Sequence, residues 1–201
     1  MTFATLNMTH YYDTLFTYIA ETLVLPESDK TLIRQLFKPV FGAKDTIIEP
    51  AGRVPQYHNF IVSGFMRNFH WDQQGDPLTV DLNEGSRFFT SYFHFMNRTV
   101  SNENIQCLTD CELLRISRDD VDIAASQGIT QKDYTVQILN KRLEVNKQRA
   151  FDMATLTAEE RYRKFATDNP ALIRNVPLMY IASYLGITQR HMSRLRKEKS
   201  Y

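Results

Sequence analysis

The densest chemistry in the chain lies at residues 188–197, Thr-Gln-Arg-His-Met-Ser-Arg-Leu-Arg-Lys. Four cations, an amide, two hydroxyls and an imidazole share ten positions with only two large apolar residues, Met192 and Leu195. Met192 and Leu195 are three apart and fall on one face of a helix, so the polar side chains occupy the others. Arg and Gln carry paired hydrogen-bonding groups that match base edges in the major groove of DNA, and cations and hydroxyls suit phosphate oxygens. The bland alternative is the solvated face of an ordinary amphipathic hairpin.

The elements needed to position this segment are legible just upstream. Ile181, Leu185 and Ile187 repeat at the spacing by which two short crossed helices bury against each other, and small Ala182 sits where they approach. Gly186 takes the turn, where a left-handed backbone costs a residue without Cβ least. Thr188 offers a hydroxyl to cap the second helix. Together, residues 176–197 read as a helix-turn-helix ending in a basic helix.

Earlier in the chain, apolar residues at helical spacing predict helices over 9–23 and 27–38. From Val40 to Ser117 the pattern shifts to short strands (46–49, 59–63, 65–71, 78–82 and 112–117), punctuated by Gly, Pro, Asn and Asp, which predicts an antiparallel roll. The aromatic run 88–96 interrupts it as a short helix. A long helix follows over 130–155. There Val136, Leu139, Leu143, Asn146, Ala150 and Met153 step by three and four, the spacing of a coiled-coil seam. That stripe fits a homodimer; packing against the chain's own roll is the alternative. Thr157 and Glu160 form a capping-box pattern that opens another helix. The fold class is α+β: an antiparallel β-roll of the double-stranded β-helix or jelly-roll type over 1–128, a dimerisation helix over 129–155, and a winged helix-turn-helix over 156–201.

The 201 residues carry a net charge of only +1, but it is unevenly placed. Residues 141–201 hold thirteen Lys/Arg against six Asp/Glu, and residues 1–140 hold eleven against seventeen. A basic tail behind an acidic front matches a polyanionic partner for the tail. Two cysteines, Cys107 and Cys111, supply neither a disulfide framework nor a four-ligand metal knuckle. With no export signal and no apolar stretch long enough to span a bilayer, a cytoplasmic protein without membrane partner is expected.

The order of helical lead, roll, long helix and helix-turn-helix resembles the Crp–Fnr family of bacterial transcription regulators. The best landmarks are Phe60-Ile61-Val62-Ser63-Gly64, the acidic-Gly turn at Gly75, Asp110-Cys111-Glu112-Leu113-Leu114 with Ile116-Ser117, and residues 181–196. The resemblance implies a homodimer that binds an inverted-repeat operator on double-stranded DNA, with RNA polymerase as a further partner. It assigns base contacts to Gln189, Arg190 and Arg194, of which only the last keeps the common family residue. It assigns phosphate contacts to Thr188, His191, Ser193, Arg196 and Lys197, with His191 equally a bystander in solvent.

Cyclic-nucleotide sensors of this kind use a Gly-Glu pair and an Arg-Ser pair around the cyclic phosphate. The aligned positions here are Phe89-Thr90 and Ser101-Asn102, so cyclic AMP is not the expected effector. Arg67, Arg87 and Arg98 are candidate substitute cations. An apolar ligand pocket lined by Phe88, Phe89, Thr90, Tyr92 and Arg98 is the candidate sensor site, against simple aromatic packing. No cofactor or metal is expected: four cysteines for an iron–sulfur cluster are missing, and His58, His70 and His94 show no ligand pattern. Two other classes compete with the regulator. A β-roll oxygenase would need a His-x-His pair that the chain lacks, and a protein-interaction or small-ligand-sensing dimer that has lost DNA binding would not need so basic a helix.

Overall fold

The computed structural model describes residues 8–83 and 85–197. Helices α1 (Met8–Ala20) and α2 (Glu27–Leu36) lead into eight strands: β1 (Lys38–Gly42), β2 (Ile47–Glu49), β3 (Tyr57–Ser63), β4 (Met66–Trp71), β5 (Pro77–Leu82), β6 (Arg87–Phe89), β7 (Asn104–Cys107) and β8 (Cys111–Ser117). Helix α3 (Tyr92–Asn97) interrupts the strands. Then come α4 (Arg118–Gln127), α5 (Gln131–Thr155), α6 (Ala158–Asp168), α7 (Pro170–Asn175), α8 (Leu178–Leu185) and α9 (Gln189–Lys197).

The strands form two four-stranded antiparallel sheets, ordered β1-β8-β3-β6 and β2-β7-β4-β5. β3 explains how they close into a roll. Its Phe60, Ile61 and Val62 are all buried, because successive side chains serve opposite faces. Ile61 points between the sheets with Met66, Phe89, Ile105 and Leu113. Phe60 and Val62 point outward to a second core with Leu15 and Ile19 of α1, Leu114, Ile116 and Tyr134 of α5. At the β3–β4 turn Gly64 has φ +97°, and a Cβ there would lie 2.5 Å from the Asp110 carbonyl oxygen.

Several boundaries differ from the sequence reading. The first helix ends at Ala20, and Lys38 belongs to β1, a strand the pattern did not reveal because Pro39 and Gly42 read as breakers. Short β6 and β7 and helices α4 and α7 were also hidden, being too brief for a periodic signal. The aromatic run divides between β6 and α3. The expected wing is corrected: among the described residues no strand follows Ser117. Between α6 and α8 the backbone is spent on α7, whose Pro170 at the first turn favours a helix start.

The buried carboxylate of Asp29 fixes the junction ahead of α5. It accepts hydrogen bonds from the Ile129 and Thr130 backbone N–H groups (3.1 and 2.9 Å) and from the Thr130 hydroxyl (2.6 Å). Burial raises its pKa, but the hydrogen bonds outweigh it and hold the group below the ordinary carboxylate range.

Candidate nucleic-acid interface and cavity

Helices α8 and α9 form the predicted helix-turn-helix. Ile181 and Ala182 of α8 bury with Ile187, Met192 and Leu195 against Tyr162 and Phe165 of α6 and Leu172 of α7. Gly186 adopts φ +63°, and a Cβ there would meet the Met153 methyl group at 2.7 Å, so the turn is fixed both by conformation and by close approach. The Thr188 hydroxyl accepts from the His191 N–H at 3.2 Å and caps α9 as expected. Thr157 and Glu160 complete their reciprocal capping box at α6.

Burial of Met192 and Leu195 orients everything else on α9. Thr188, Gln189, Arg190, His191, Ser193, Arg194, Arg196 and Lys197 are all exposed. The helix therefore presents one contiguous basic and amide-bearing surface. With no acidic side chain on α9, an anionic surface meets no opposing charge along this helix.

The helix-turn-helix is tied to the roll by polar contacts. The Arg149 guanidinium donates to the carbonyls of Val80 in β5 (2.9 Å) and Tyr184 in α8 (2.8 Å). Ser183 Oγ donates to the Pro77 carbonyl and accepts from the Thr79 N–H. Leu82 and Leu108 of the roll enter the same apolar cluster as α6–α9.

Helix α5 has two distinct faces. Tyr134, Ile138, Arg142 and Arg149 turn toward the roll and the helix-turn-helix. Roughly a third of a turn away lie Val136, Leu139, Leu143, Asn146, Ala150 and Met153, all exposed, with Leu143 at 66%. The chain's own roll leaves its first five residues exposed, although Val136, Leu139, Leu143 and Asn146 border a cavity beside it. Met153 does double service, touching the Gly186 turn while 42% exposed.

Between the roll, α1 and α5 lies a cavity of about 690 Å³. Phe88, Phe89, Thr90 and Tyr92 line it as the sequence suggested. Arg98 does not. Its left-handed position ends α3, and its side chain pairs on the surface with Asp119 (3.0 Å) and Asp122 (3.2 Å). Of the other candidate cations, Arg67 is buried away from the cavity, bonded to Gln106 and stacked on Phe69 and Tyr180. Arg87 does reach it and shares Asp81 with Arg142, each at 2.7 Å.

Tyr18, His58, Asp81, Tyr134, Ile138 and Arg142 also line the cavity and were missed from sequence. One signal was available: Tyr134, Ile138 and Arg142 repeat every four residues beside the seam. His58 packs among Phe88, Tyr92 and Phe95, and burial lowers its pKa to about 4, so the imidazole is neutral. Ser101, at the expected phosphate position, instead bonds the Ser91 hydroxyl in the interior. Among the described residues no cluster of three or more His, Cys, Asp or Glu could hold a metal, and no helix is long and apolar enough to cross a membrane.

No family model and no curated protein sequence matches the chain. Solved structures do. FixK2 from Bradyrhizobium japonicum superposes with a TM-score of 0.69 at 16% identity, covering 81% of this chain and 84% of that one. The c-di-GMP responsive global regulator CLP from Xanthomonas campestris gives 0.67 at 15% identity, with 86% and 91% covered. A Eubacterium rectale protein described as a transcriptional regulator of the Crp/Fnr family gives 0.67 at 15%, with 87% and 83% covered. The fold is thus that of the Crp/Fnr regulators, a β-roll followed by a long helix and a helix-turn-helix.

Proposed function

We propose that the protein is a homodimeric, sequence-specific DNA-binding transcription regulator that does not respond to cyclic AMP. The observation that carries this reading is α9, whose two apolar residues are buried and whose every polar side chain from Gln189 to Lys197 is exposed. Gln189, Arg190 and Arg194 are assigned to base edges, and Thr188, His191, Ser193, Arg196 and Lys197 to phosphates. The exposed seam from Val136 to Met153 supplies the dimer contact, with Asn146 fixing its register. Two reading heads so joined call for an inverted repeat with half-sites about 34 Å apart. Against cyclic AMP stands the absence of the Gly-Glu and Arg-Ser pairs at Phe89-Thr90 and Ser101-Asn102.

The test is binding to a labelled fragment of the gene's own upstream region across a salt series. Affinity falling steeply with salt, with a sequence-selective footprint, is the expected result, since phosphate contacts release counterions. Unchanged affinity on adding cyclic AMP is expected with it. Leu143→Glu in the seam should yield a monomer by sedimentation and lose the footprint. A wild-type protein that shows no preference among DNA fragments and no salt dependence defeats the DNA reading and leaves the interaction dimer.

A further inference from the structure

Cys107 and Cys111 are the only cysteines of the chain, and both are fully buried free thiols. Cys107 ends β7 in one sheet and Cys111 opens β8 in the other, so Leu108, Thr109 and Asp110 alone carry the chain across. Both side chains enter the apolar cluster between the sheets, with Ile61, Met66 and Leu113. Each sulfur faces a glycine. A Cβ on Gly42 would lie 2.6 Å from Cys107 Sγ and 3.9 Å from Cys111 Cβ, and one on Gly64 would lie 2.7 Å from Cys111 Sγ. The fold thus clears space for the sulfurs by omitting two side chains, and within it the Cys107 thiol donates to Cys111. The Cys111 thiol donates in turn to the carbonyls of Phe65 (3.4 Å) and Thr109 (3.3 Å). Apolar burial ordinarily raises a thiol's pKa. Donation from Cys107 instead holds Cys111 below its usual range, and the same contact pushes Cys107 up.

We propose that Cys107 and Cys111 form a reversible oxidation site, closed to an intramolecular disulfide by hydrogen peroxide. The Cys111 thiolate attacks one peroxide oxygen; an S–O bond forms, the O–O bond breaks and hydroxide leaves. The Cys107 sulfur then attacks the Cys111 sulfur; the S–S bond forms, the S–O bond breaks and a second hydroxide leaves. The two thiol protons join the two hydroxides as water, and the peroxide takes up the two electrons that the sulfurs give. The surroundings decide the product. A disulfide is neutral and stays buried, whereas a sulfinate would place a charge inside an apolar cluster. The bond also acts beyond the two sulfurs. Leu108, between them, is buried against α6–α9, and its N–H donates at 2.7 Å to the same Phe65 carbonyl that accepts the Cys111 thiol. Closing the disulfide removes that thiol and shortens the crossing that seats Leu108.

The test takes the full-length protein, reduced and freed of reductant, and exposes it to hydrogen peroxide. DNA is absent, so the outcome is independent of the regulator reading. After trapping with iodoacetamide in denaturant, trypsin releases both cysteines in one peptide, residues 99–115. The expected result is loss of both alkylatable thiols, a peptide lighter by two hydrogens, and recovery of both thiols with dithiothreitol. Amide hydrogen exchange in α8 and α9 should quicken on oxidation and return on reduction, as a loosened Leu108 requires. Cys107→Ser should show neither the disulfide nor the exchange response. Oxidation of exposed Met8 to its sulfoxide marks that the peroxide has acted. The proposal is overturned if both thiols are still alkylated once Met8 is oxidised, or if the product is a sulfinic acid or a disulfide between chains. It is equally overturned if the disulfide forms while exchange in α8 and α9 is unchanged.

Discussion

The outer face of α9 draws all its chemistry from ten neighbouring residues, whereas the cavity collects its walls from α1, α2, β3, β5, β6, α3, β8, α4 and α5, between Leu15 and Asn146. The first kind of site needs only a helix and two buried anchors to be set in space. The second exists only after two sheets have closed and α5 has been laid beside them. Its polar groups are individually unremarkable in sequence and gain meaning through what they lack: a partner for Tyr134, a second carboxylate for two arginines. Local sites are fixed by spacing, and composite ones by topology.

The sharpest way to break the comparison is to remove an anchor of the local site. Met192 is fully buried, and Met192→Ala is expected to destabilise the protein by about 2–5 kcal/mol, read from denaturant midpoints. Arg194→Ala is expected to leave those midpoints alone and to cost about 1–3 kcal/mol of operator binding with relaxed base preference. Equal losses of stability in both variants would mean that the two faces of α9 are not separate.

The cavity is probed by acid. His58 is neutral in the fold, with a pKa near 4 against an ordinary 6.5. The unfolded chain therefore binds a proton that the folded one does not as pH falls from 6.5 to 4, so its contribution is whole above pH 6.5 and is lost across that window. Part of the ring faces the cavity rather than packed protein, so water reaching it there reduces the effect to on the order of 1–3 kcal/mol. His58→Phe should flatten the stability profile between pH 6.5 and 4; an unchanged slope would assign it to other groups. The smallest effect belongs to Tyr134→Phe. It removes a buried hydroxyl that has no partner, so thermal unfolding should show the protein stabilised by about 1 kcal/mol.

The same contrast governs what could be read in advance. The helix-turn-helix was legible to individual residues, Gly186 at its turn and Thr188 at its cap, because helical periodicity and capping are local rules. Helical spacing likewise placed Val136, Leu139, Leu143, Asn146, Ala150 and Met153 along one side of α5, where the structure leaves them exposed. The roll was legible as a class, but β1, β6 and β7 were not, because strands of three to five residues take their definition from partners such as β8 and β3. Arg98 was misplaced for a related reason: its turn at φ +52° and its pairing with Asp119 and Asp122 depend on how α3 meets α4.

Leu82 and Leu108 lie in the roll yet complete the apolar cluster of α6–α9. The C-terminal helical unit is consequently not a detachable module. A chimera that joins residues 156–201 to a foreign roll would leave two gaps in its floor unless the graft also carried the segments that present these leucines. Exchange of parts between such proteins, in the laboratory or over descent, is constrained by two side chains that no boundary drawn along the sequence would include.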